Sequence, residues 1–197
     1  MTGDFTLQLG FSDAMRPDAA QLYWQAFGGK LGFVMGPEPR ALTYFQRVMR
    51  KDQAIVAIGN HGALLGIAGF KTPEGSFASG NARDLRAIYG IFGGFWRGLL
   101  LSRLSDEVDN HRFLLDGLCV QPAFRSRGIG SALLKAISAE AWSRGYDEVR
   151  LDVVDTNWRA VALYKRLGFV VLSRQHIGLL RHVFGFSSAT TMVYCRG

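Results

Sequence analysis

Phe113-Leu114-Leu115-Asp116-Gly117-Leu118-Cys119-Val120 runs into Gln121-Pro122-Ala123-Phe124-Arg125-Ser126-Arg127 and then into Gly128-Ile129-Gly130, and the reading of this stretch decides the fold. The leucine-rich first segment predicts a strand and Gln121 to Arg127 a loop, while Leu133, Leu134, Ile137 and Ala141 recur at the spacing of a helix from Gly128 to Arg144. The apolar period changes from two to about 3.6 within a few residues. The first amides of a helix lack partners inside it, and glycines there let another molecule approach the backbone. Such a junction holds anions, and Arg125 and Arg127 add side-chain charge. A phosphorylated ligand is one reading; a tight strand-to-helix connection is the other. Two familiar phosphate loops are ruled out. No Lys-Ser/Thr pair closes a G-x-x-x-x-G, and Gly128-x-Gly130 lacks the third glycine of the dinucleotide fingerprint.

Downstream, Gly145 stops the helix and Glu148 to Val154 predicts a strand. Asp155-Thr156-Asn157 caps a short helix, Trp158 to Leu167, that ends at Gly168. Phe169 to Ser173 and Ala189 to Cys195 are strands, separated by an apolar loop from Gly178 to Ser188. Upstream, Phe5 to Phe11 alternates as a half-buried strand. A helix capped by Asp13 or Asp18 carries Leu22, Tyr23, Ala26 and Phe27 until Gly28-Gly29 stops it; Lys30 to Pro39 is irregular, and Pro39 to Arg50 is a second amphipathic helix. Ala54 to Ile58 and Ala63 to Phe70 form a hairpin whose turn leaves His61 in solvent.

After a polar loop from Lys71 to Ala82, Arg83 to Asn110 reads as a helix with Leu85, Ile88, Phe92, Phe95 and Leu99 on one stripe and Ile91, Trp96, Leu100 and Leu101 off it. Gly90, Gly93, Gly94 and Gly98 lie within it, each weakening a helix by up to about 1 kcal/mol relative to alanine. The element therefore packs very closely or bends. A core helix, a substrate lid, a dimer surface and a helix lying in a membrane plane all fit it. The order of elements predicts a mixed α/β layered fold.

At 197 residues, 48% apolar and 20% charged, the chain suits one substantial core. Its net charge of +7 draws it toward acidic partners, and its excess of Arg over Lys suits fork-shaped recognition of phosphate or carboxylate. Cys119 and Cys195 fit no metal or redox spacing and read as reduced thiols of a cytoplasmic protein. Neither a signal peptide nor a run of about 20 apolar residues is visible.

Two motifs then occur in order. Leu118-x-Val120-x-Pro122 with Arg125-x-x-Gly128-x-Gly130 resembles the acyl-CoA loop, Q/R-x-x-G-x-G/A, of the GNAT-type N-acyltransferase superfamily. Leu151-Asp152-Val153-Val154-Asp155-Thr156-Asn157 followed by Ala160-x-x-Leu163-Tyr164-x-x-x-Gly168-Phe169 resembles that family's acceptor-side half. The resemblance implies a mostly antiparallel α/β sheet with a splayed parallel pair at its centre, flanked by helices. It implies one domain over residues 1–197, with a helical insertion at about 83–110. It also implies acetyl-CoA as cosubstrate, an amine acceptor and no metal. The pyrophosphate would rest on the backbone of Arg125, Ser126, Arg127, Gly128, Ile129 and Gly130, with Ser131 beside it. Pantetheine would lie along Leu118, Cys119 and Val120, where an amide polarises the thioester carbonyl, and Asn157 would cap its helix and reach the coenzyme. Tyr164 would protonate the departing thiolate. Asp152 is the first candidate for a general base and Asp116 the second; membership of a structural ion pair is the alternative for each.

Direct acetyl transfer to a primary amine is the first functional reading, with the apolar residues of the insertion and of Gly178 to Ser188 lining the acceptor site. A catalytically inactive acyl-CoA-binding regulatory module is the alternative. No nucleic-acid partner is expected, since no groove-binding motif is present. A homodimer is left open.

Overall fold

The computed structural model describes residues 5–102, 113–178 and 185–196. In chain order their elements are β1 (Phe5–Leu9), α1 (Arg16–Met35), α2 (Glu38–Val48), β2 (Ala54–Gly59), β3 (Leu64–Thr72), β4 (Gly75–Ser76), α3 (Ala82–Ser102), β5 (Phe113–Val120), α4 (Ile129–Ser143), β6 (Glu148–Val154), α5 (Trp158–Arg166), β7 (Val170–His176) and β8 (Ser188–Cys195). The strands form one sheet in the order β1-β2-β3-β5-β6-β8-β7, with β4 added to β3. Every pairing is antiparallel except that of β5 with β6.

Because successive side chains of a strand point to opposite faces, the sheet feeds two cores. Ile55 and Ala57 of β2 join Leu133, Leu134 and Ile137 of α4 on one face. Val56 of β2 and Ile67 of β3 join Leu22 and Tyr23 of α1 and Phe45 of α2 on the other. The sheet is thus sandwiched between α4–α5 and α1–α3.

Its centre is where it opens. β5 pairs with β6 only through Phe113↔Val149, Leu114↔Arg150 and Leu115↔Leu151. On its other edge β5 stays paired with β3 as far as Val120, opposite Gly66. Gly117 faces Gly69 and Leu115 faces Phe70, so Asp116 is one extra residue, a bulge that bends the strand. Beyond Leu115 the two parallel strands part.

Four readings change. α1 does not stop at Gly28-Gly29: it continues to Met35, because Val34 and Met35 are fully buried and Trp24 lies against Gly28. Burial of that last turn outweighs the propensity cost of the glycines, roughly 1 kcal/mol each. The Arg83–Asn110 helix runs from Ala82 to Ser102 and breaks at Gly90, which takes φ 75° and ψ 178°; residues 103–112 lie outside the described residues. Gly75–Ser76, within the expected polar loop, pairs with β3. The alternation in Phe5–Phe11 does not bury β1, whose Leu7 and Leu9 are exposed at the sheet edge. The hairpin stands as read, with His61 exposed in the β2–β3 turn.

Candidate active site

The end of β5 (Leu118, Cys119, Val120), the turn before α4 (Phe124, Arg125, Ser126, Gly128, Gly130, Ser131) and one side of α5 (Asn157, Arg159, Ala160, Leu163, Arg166) line a cleft of about 1000 Å³. Gln25 and Ala26 of α1 also line it. The cleft therefore passes beside β5 from the α4–α5 layer to the α1 layer. Arg125, Arg159 and Arg166 line it and, among the described residues, no carboxylate does, so the field of that lining favours an anion.

The turn adds backbone donors. Ala132 N donates to Gly128 O (2.9 Å), the first rung of α4, so the amides of Ile129, Gly130 and Ser131 have no acceptor within the helix. Ser126 (φ 62°) and Gly128 (φ 83°) are left-handed, a conformation that gathers amides into an anion-binding concavity. A Cβ on Gly128 would meet no protein atom within 4 Å. Glycine is required there by its φ, and the space before it is open to a ligand. These are the features a diphosphate needs.

The other expected site residues divide. Asn157 Oδ1 accepts from Ala160 N (3.3 Å) and caps α5 as read. Arg125 Nε donates to Val120 O (3.1 Å), tying the turn to β5. Arg127 and Ile129 do not line the cleft: the Arg127 guanidinium lies over the Phe124 ring (5.2 Å), and Ile129 is buried beneath α4. Cys119 is buried, and burial pushes its thiol well above the usual range, which suppresses thiolate formation.

Tyr164 is 7% exposed, packs against Phe169 (5.8 Å) and is not among the cleft-lining residues. Burial, with the neighbouring Cys119 thiol as a lesser influence, raises its hydroxyl well above the usual tyrosine range. It holds its proton at neutral pH. Asp152 points away from Leu151 and Val153, toward the α1 layer, where its carboxylate accepts from Thr191 Oγ1 (2.5 Å) and pairs with Arg150 (3.3 Å). Both its oxygens are engaged. Asp116 accepts through Oδ2 from Ser76 Oγ (2.5 Å) and from Ala78 N (3.1 Å).

The sequence model of the Acetyltransferase (GNAT) family matches residues 17–169. The chain belongs to the GNAT acetyltransferase family. A thialysine N-epsilon-acetyltransferase from Bos taurus is 43% identical over 54 residues, 27% of this chain and 32% of that protein, so the match spans about a third of the curated relative. Among solved structures, a histone acetyltransferase HPA2 and related acetyltransferase from Corynebacterium glutamicum superposes with TM-score 0.65 at 20% identity, covering 98% of this chain and 97% of that one. An acetyltransferase from Salmonella typhimurium, solved with its cofactor acetyl-CoA, gives TM-score 0.59 at 16% identity, covering 97% and 93%. These two likenesses concern the GNAT fold.

Within that fold, Gln25, Arg159 and Arg166 line the cleft without belonging to either sequence motif. Arg159 and Arg166 are seven residues apart, one face of a helix, and that spacing marks them as a pair. Tyr23 sits on the apolar stripe of α1 and reads as core. Its ring touches Phe27 (4.6 Å), and its hydroxyl is raised well above the usual range by burial first and then by Asp116 and Cys119. Among the described residues, neither those of the insertion nor Gly178 and 185–188 of the apolar loop line this cleft, and 103–110 and 179–184 lie outside the described residues.

Proposed function

We propose that the chain transfers an acetyl group from acetyl-CoA directly to a primary amine. One observation carries this reading: an arginine-lined cleft, without a carboxylate among the described residues, that begins at the unpaired amides of α4 and passes beside β5 to the α1 layer. The α4 turn with Arg125, Arg159 and Arg166 holds the diphosphate. The unpaired edge of β5 holds the pantetheine arm, and a β5 amide polarises the thioester carbonyl. The amine enters from the α1 side and attacks that carbonyl. The C–S bond then breaks, the departing sulfur takes the proton of Tyr164, and the amine loses its proton to a carboxylate or to water. Neither carboxylate is among the described lining of the cleft, and of the two Asp116 is the less engaged. Its Oδ2 is anchored by Ser76 and Ala78, whereas both oxygens of Asp152 are engaged by Thr191 and Arg150. The bovine relative, named for acetylating the N-epsilon of thialysine, makes an amine on an alkyl arm the first acceptor class to try.

A second reading, an acyl-CoA-binding module without catalysis, draws on the burial of Tyr164 away from the cleft wall. Calorimetric titration with acetyl-CoA followed by turnover on a panel of alkyl amines separates the two. Binding with turnover supports the enzyme; binding without it supports the module. In the enzyme, Tyr164→Phe lowers kcat by about 100-fold and leaves coenzyme affinity unchanged. Unchanged kcat would remove Tyr164 as the acid.

A further inference from the structure

After Gly90 the second segment of α3 turns back on the first. A Cβ on Gly94 would come within 2.9 Å of the Arg86 backbone nitrogen, and one on Gly98 within 3.6 Å of Leu85. Glycines thus form the inner contact, and Leu100 and Leu101 pack against the α1–α2 core. The opposite face is also apolar. Phe92 is 88% exposed and Phe95 76%, with Ile91 and Leu99 beside them. Trp96 meets Phe33 of α1 edge-on at 6.5 Å. A helix that is apolar all round is ordinarily enclosed, and exposed apolar surface of this extent marks an interaction site.

The patch is held rigidly. The Arg97 guanidinium stacks on Tyr89 (4.2 Å) and Trp96 (4.3 Å), and donates to Gly93 O (3.1 Å) and Gly36 O (3.3 Å). Charge then selects the occupant. Arg83 and Arg86 are exposed on the first segment of α3 and Arg40 on α2, where Arg40 lies close enough to act on both Tyr89 and Arg97, while the exposed Glu38 of α2 accepts from Gln21 of α1 (3.3 Å). The acidic residue of α3, Asp84, is bound to Arg47 (2.8 Å). A second copy across a two-fold axis would set these cations against their own kind. An anionic lipid surface complements them.

We propose that this face binds an anionic bilayer surface, with the second segment of α3 lying in the interfacial plane and Phe92, Phe95 and Trp96 reaching the acyl boundary. No helix among the described residues is long and apolar enough to cross a membrane, so the attachment is peripheral. It does not depend on the acyl-transfer reading.

The test is flotation of the full chain with vesicles of phosphatidylglycerol and phosphatidylcholine in equal parts, beside vesicles of phosphatidylcholine alone. The expected result is binding to the anionic vesicles that falls about tenfold on neutral vesicles or on raising salt from roughly 0.1 M to 0.5 M. The Phe92→Ser/Phe95→Ser double variant loses about tenfold on the anionic vesicles. It keeps the parent's unfolding midpoint, because both rings are exposed. A readout that needs no polar substitution is the emission of Trp96, isolated by difference from Trp96→Phe, which shifts to the blue on anionic vesicles. Failure to float, flotation unmoved by the double variant, or a lipid-free dimer that the double variant dissolves would each overturn the proposal.

Discussion

The turn before α4 and the body of α3 are both rich in glycine, and they use it in opposite ways. At Gly128 a side chain would meet empty space, and the residue is needed for its φ of 83°. At Gly94 a side chain would strike the backbone of Leu85 and Arg86, at 2.9 to 3.1 Å. One glycine borders open space outside the fold, and the other lets the chain fill its own room. The same residue type therefore leaves open space in one place and makes a self-contact in the other. What distinguishes them is the packing around the missing Cβ, which no local pattern displays.

The sharpest way to break this contrast is Gly128→Asp. A carboxylate placed before the unpaired amides of α4 repels an anionic ligand and competes for the same donors, so acetyl-CoA affinity should fall by at least about 100-fold. The left-handed φ adds a folding cost of only about 1 kcal/mol, so the variant remains folded. Calorimetry checks the first expectation and chemical denaturation the second. Retained affinity would show that the turn is an ordinary connection.

Gly94→Val should do the reverse. Its branched Cβ forces the two segments of α3 apart and costs about 2 kcal/mol of stability, while acetyl-CoA affinity stays at the parent value because α3 does not line the cleft. Denaturant midpoints read the first effect and calorimetry the second. A loss of coenzyme affinity without loss of stability would couple the two regions and undo the separation drawn between them.

Much of this arrangement is legible locally. The strand–turn–helix from Phe113 and the Asn157 cap announce themselves through spacing and capping chemistry, because their partners are a few residues away. The unread parts depend on distant partners. α1 passes through Gly28-Gly29 because Val34 and Met35 find a core supplied largely by other elements. Asp152 is engaged by Thr191, its cross-strand neighbour in β8, so a carboxylate that resembles a candidate base is tied up in the sheet. The bulge that isolates Asp116 is a register fact between β3 and β5 and has no signature in either strand alone.

The smallest expected effect refines the contrast within the turn itself. Gly130 has no left-handed requirement, and a Cβ there would sit 3.5 Å from Leu163 and about 4 Å from Val120 and Leu118, ordinary contact distances. Gly130→Ala therefore adds helix propensity in the first turn of α4 and should raise stability by roughly 0.5–1 kcal/mol. The resemblance pattern accepts Gly or Ala at this position, so acetyl-CoA affinity should change by less than about twofold. A melting curve and a titration on the same sample give both numbers. Should affinity instead fall tenfold while the melting point rises, the ligand would have to cross the face of Gly130. Both glycines of the turn would then serve approach, and the division of labour with Gly128 as the sole conformational requirement would give way.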